Sequence, residues 1–116
     1  LLQKRYPKDS FIAHIGGDDF FVGLRNYEFK KVFDLTDKVQ IEFKNSVENL
    51  YSKKDKDKGL LIAKDRFNIE RSFNLLSVSS AIIEINPNSN ISNFDSTLNV
   101  LKKASKGSTK PISSIL

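Results

Sequence analysis

The chain has 116 residues, a formal net charge of +5 and no cysteine. That length suits one small domain around one core, and the missing cysteine excludes a disulfide framework and a thiolate metal site. No stretch approaches the ~18 apolar residues of a membrane span and no signal peptide is visible, so a cytoplasmic location is expected.

The positive charge favours anionic ligands such as nucleotides in general terms. Much of it, however, lies in the lysines of 53–58 and 102–110, which read as solvated surface. No aromatic-and-basic stripe points to nucleic acid. Residues 1–10, LLQKRYPKDS, predict the end of a helix and then a loop, because Pro7 ends any helix before it.

Residues 11–24, FIAHIGGDDFFVGL, carry two apolar runs, Phe11-Ile12-Ala13 and Phe20-Phe21-Val22, around a glycine pair. That is the pattern of a β-hairpin. Gly16 and Gly17 tolerate the positive φ of a tight reversal and let a bulky ligand approach the backbone. Asp18 and Asp19 then stand at the mouth of the hairpin. Two carboxylates beside bare backbone suit a hard cation and the phosphate that it carries; the plain alternative is an ordinary turn with solvated acids. His14 is the single histidine. One imidazole builds neither a triad nor a zinc site, and it reads as a strand residue.

Residues 26–52 predict a long helix. Phe29, Val32, Phe33, Val39, Phe43, Val47 and Leu50 recur at spacings of three and four, which marks one buried face. Asn26 is placed to cap it, with Glu28 near its positive end. Residues 53–59, KKDKDKG, predict a charged loop in which Gly59 breaks the helix and starts the next strand. Leu60 to Ala63 is a short strand, 64–74 a polar excursion, and 75–85, LLSVSSAIIEI, the best candidate for a central strand. Asn86-Pro87-Asn88 is a turn. A last helix is expected over 92–105, with Phe94, Leu98, Leu101 and Ala104 inward, and the tail from Gly107 to Leu116 ends in a short strand. No internal repeat is visible. The order β-β-α-β-β-α predicts antiparallel pairing with two packing helices, an α+β or α/β arrangement.

The stretch Gly16-Gly17-Asp18-Asp19-Phe20, in its strand–turn–strand setting, resembles the signature of the GGDEF family, the diguanylate cyclase domains of bacterial cyclic di-GMP signalling. The resemblance implies a partial GGDEF fold, like the palm of nucleotide cyclases, with an antiparallel-rich sheet. It implies that Asp18 ligates a metal, Mg²⁺ or Mn²⁺, that Asp18 and Asp19 are the catalytic acids, and that Gly16 and Gly17 give the phosphates of GTP room. Asp19 stands where active members usually carry Glu. In the family a Lys near the end of the last helix, followed by a Gly-Arg pair, holds the phosphates. Lys103 or Lys106 answers to that Lys, while Gly107 is followed by Ser108, so one phosphate anchor is missing. Many members carry an RxxD inhibition site just before the hairpin; the matching stretch, Pro7-Lys8-Asp9-Ser10, has no arginine.

The family's first half, with a second metal-binding acid and the guanine-binding residues, normally precedes the signature. Only fifteen residues precede Gly16, and the chain starts with Leu, so a piece of a longer protein, truncated in its N-terminal half, is expected over 1–116. Such a piece is expected to close its sheet by pairing the hairpin directly with the later strands rather than across a homodimer. His14-Ile15-Gly16-Gly17-Asp18-Asp19-Phe20 and Lys64-Asp65-Arg66 are similar to the branch found with EAL and CBS domains in multidomain proteins. Those neighbouring domains and a guanine nucleotide are the implied partners. The departures favour a degenerate regulatory module; an active cyclase in the full-length protein is the alternative.

Overall fold

The computed structural model describes residues 1–58 and 60–116, and the side chains of all of these except Lys56, Lys58, Leu60, Leu61, Phe73 and Asn74. Gly59, expected to break the helix before it, lies outside the described residues. The described chain mixes α and β structure in two compact units, Leu1–Gln40 with Ser79–Leu116, and Ile41–Val78.

In the first unit, helix α1 (Leu2–Arg5) ends at Tyr6, just before Pro7. Strands β1 (Phe11–Gly16) and β2 (Asp19–Gly23) form an antiparallel hairpin, from Phe11 opposite Gly23 to Gly16 opposite Asp19. Helix α2 (Phe29–Glu48) follows. Strand β5 (Ala81–Glu84), a 3₁₀ turn (Ile91–Asn93), helix α4 (Phe94–Ser105) and strand β6 (Ile112–Ile115) complete the unit. β5 and β6 are parallel, in register from Ala81 opposite Ile112 to Glu84 opposite Ile115. A parallel pair needs a crossover connection, and α4 provides it. Leu101 and Ser105 are its buried residues.

Burying a Val or Leu side chain contributes about 1.5–3 kcal/mol, and in this unit Val39 on α2 and Leu101 on α4 are buried in that way. Tyr6 is buried too, and so are Thr36 and Gln40. A buried hydroxyl needs a partner. The Thr36 Oγ1 donates to the Val32 carbonyl at 2.8 Å and accepts from the Tyr6 hydroxyl at 2.7 Å. Burial raises the Tyr6 pKa, and the bond to Thr36 pulls weakly the other way.

In the second unit, helix α3 (Lys53–Lys58) precedes an antiparallel hairpin of β3 (Leu60–Lys64) and β4 (Glu70–Asn74). Val47, on the part of α2 that belongs to this unit, is buried.

Several expectations are corrected. The long helix starts at Phe29, not 26. Asn26 is left-handed, with φ 63°, and Glu28 takes the capping position instead, its carbonyl accepting from Val32 at 3.1 Å. The helix stops at Glu48, where Leu50 and Tyr51 turn back to Val47 and Glu48, and Leu50 is exposed. The charged loop at 53–58 is a helix. Ser52 Oγ accepts from the Asp55 amide at 3.2 Å and bonds its carboxylate at 2.9 Å, a local cap that starts a lysine-rich run of good helix formers.

The polar excursion hides β4, whose Glu70 stands opposite Lys64, a favourable cross-strand charge pair. The expected central strand over 75–85 shrinks to Ala81–Glu84. Its partner β6 has four residues, and Pro111 before it has no amide to extend the ladder. Residues 75–80 are not strand, although the Ser80 carbonyl accepts from the Ile112 amide at 3.0 Å, and the Leu76 amide bonds to Tyr51 Oη at 3.0 Å. In α4, Ser105 faces inward and Ala104 is exposed. Among the described residues the ladders form three two-stranded sheets. Within the first unit the described strands β1 and β2 pair only with each other and β5 only with β6, so the expected direct closure of the hairpin onto β5 is not seen.

Candidate functional site

The hairpin tip gathers four of the residues that the sequence singles out, Gly16, Gly17, Asp18 and Asp19. Gly17 and Asp18 form a two-residue turn between paired Gly16 and Asp19. Gly17 has φ 55° and Gly16 φ 154°, conformations that a side chain at either position would strain. A positive φ at the first turn position and none at the second is the sign pattern of a II′ turn, which matches strand twist. The register shifts between His14 and Gly16, so that Ile15 bulges and the tip bends.

His14 has the strand role expected of it. Its Nε2 donates to the Gly17 carbonyl at 2.8 Å, and its ring stacks on Phe20 with centroids 4.6 Å apart. The imidazole thus holds the turn from one face.

The two acids differ. Asp18 is exposed and has no ion-pair partner among the described residues. The Asp19 Oδ2 lies 3.0 Å from Lys102 Nζ of α4, both side chains about half exposed (51 % and 46 %). The contact spans 83 positions of sequence. Lys102 was not among the expected phosphate-binding residues. Lys103 and Lys106 are exposed, and no described contact brings them to the tip. The signal for Lys102 lay in helix phase: it stands four residues after Leu98 and next to buried Leu101.

At the base of the hairpin the Tyr27 hydroxyl donates to Asp9 Oδ1 at 2.7 Å. This bond, and the coulombic effect of the same carboxylate, raise the Tyr27 pKa. The hairpin is thus held at its base by a neutral donor and at its tip by an ion pair.

Among the described residues no group of three or more His, Cys, Asp or Glu side chains could hold a metal ion. The chemistry of Mg²⁺ tolerates a sparser set, since it keeps several waters and takes one or two carboxylates plus substrate phosphates. Asp18 can supply one carboxylate, whereas Asp19 is engaged by Lys102. A shallow hollow between α4 and β6, lined by Ser96, Thr97, Val100, Leu101 and Ser114, includes none of the tip residues. No described helix is long and apolar enough to cross a membrane.

The chain matches no family profile, no curated protein and no solved structure.

Proposed function

We propose that the hairpin Gly16–Phe20 is the nucleotide-facing element of a GGDEF-type domain, and that the chain serves as a degenerate nucleotide-binding or regulatory module. Its setting is a multidomain cyclic di-GMP signalling protein that also carries an EAL domain. The observation that supports this reading is the tip itself: a glycine-built turn with one open carboxylate, Asp18, beside a second, Asp19, already paired with Lys102. In this proposal Asp18 binds the Mg²⁺ or Mn²⁺ of a guanine nucleotide, and Gly16 and Gly17 leave room for its phosphates. The palm-like fold belongs to the same proposal, supported by the first unit's order of hairpin, helix, then strand–helix–strand, with α3 and the β3–β4 hairpin of the second unit inserted in the chain between them. The ion pair on Asp19, and Ser108 after Gly107, favour regulation over catalysis.

The open Asp18 also favours a second reading, an active cyclase in the full-length protein. There two GTP molecules meet on facing domains, and the 3′-hydroxyl of each attacks the α-phosphate of the other and releases pyrophosphate.

Calorimetric titration of GTP with Mg²⁺ into the parent protein tests the common core. Asp18→Asn is expected to abolish binding, because an amide is a poor Mg²⁺ ligand and leaves the triphosphate charge uncompensated. Unchanged affinity removes Asp18 from the site. Incubation with GTP and Mg²⁺ or Mn²⁺ separates the two readings: cyclic di-GMP formation establishes the cyclase, and binding without product supports the module.

A further inference from the structure

No further inference is drawn: the strongest candidate, the exposed apolar surface of the β1–β2 hairpin at Phe11, Ile15, Phe20 and Phe21, carries none, because nothing in the structure shows what covers it.

Discussion

The two antiparallel hairpins put acids at their turns and use them in opposite ways. At the first, β1–β2, glycine makes the reversal, so Asp18 is not needed for the turn and stays open. At the second, β3–β4, no glycine is available and Asp65 builds the loop. Its Oδ1 accepts from the amides of Phe67 at 2.8 Å and Ile69 at 3.1 Å, and its Oδ2 pairs with Arg71. Asn68 supplies the positive φ, 63°, helped by the tolerance of Asn for that region. An acid at a turn is therefore a site candidate only when the backbone does not already use it. By that criterion Asp18 qualifies and Asp65 does not.

The sharpest way to break this contrast is to remove each acid. Asp65→Ala leaves two amides without an acceptor and Arg71 without its partner. Protection of Phe67 and Ile69 against hydrogen exchange is expected to fall by at least about tenfold. Asp18→Ala is expected to leave exchange at Gly16 and Asp19 unchanged. Equal losses at both hairpins would end the distinction.

Acid repeats the first experiment without mutation. The amide of Ile69, above all, and then Arg71 and the amide of Phe67 hold the Asp65 pKa below the ordinary carboxylate value. A depressed pKa contributes stability that is present above the unfolded value, about 4, and is lost as pH falls through the folded one. The β3–β4 loop is thus expected to stay ordered at neutral pH and to loosen only below about pH 4, as followed by the Phe67 and Ile69 amide signals. Loosening that begins near neutrality would show that the carboxylate does not organise the loop.

A smaller effect tests the other half of the contrast, glycine against asparagine as the source of positive φ. Gly17→Ala meets no atom within 4 Å, so strain alone acts on it. The expected cost is about 1 kcal/mol in urea unfolding. Asn68→Gly relieves a mild strain but loosens the unfolded chain, and is expected to be neutral within about 0.5 kcal/mol. A neutral Gly17→Ala would mean that the first turn does not need glycine.

What could be read from the sequence follows from how local each cause is. The first hairpin was legible because the glycine pair and its apolar flanks act within a few residues. Helix α4 was legible from its apolar spacing. The helix at 53–58 also has a local cause, the Ser52–Asp55 cap, but its run of lysines reads equally as a solvated loop. The short extent of β5 could not be seen in Leu75 to Ile85, since it is set by Pro111 and the four-residue β6, some thirty positions away. The same holds at the site. Gly16, Gly17, Asp18 and Asp19 arrive together because one turn holds them, whereas Lys102 is selected by the phase of a helix that the chain reaches only after two further hairpin strands and β5.

The smallest expected effect concerns how the first hairpin is fastened at its base. The Asp9 carboxylate accepts from the Tyr27 hydroxyl, and a phenolate there would face a carboxylate instead of bonding it. The hydrogen bond is the main reason the Tyr27 pKa is raised, followed by its partial burial and the negative charge of Asp9. A raised pKa contributes stability that is fully present below the unfolded phenol value, about 10, and is lost as pH rises through the folded one. The clasp should therefore hold unchanged across neutral pH and open only in strong alkali. Because both groups are reached by water, which replaces a lost bond at little cost, Tyr27→Phe is expected to raise hydrogen exchange at Phe11 and Gly23 less than about threefold. It should also remove the alkaline loosening, since the variant has no phenol to ionise. The tip bond from His14 to Gly17 lies at the other end of the ladder, so exchange at Gly17 is expected to stay as it was. A change at Gly17 equal to that at Phe11 would mean that the hairpin opens as one unit, and that base and tip are not fastened separately.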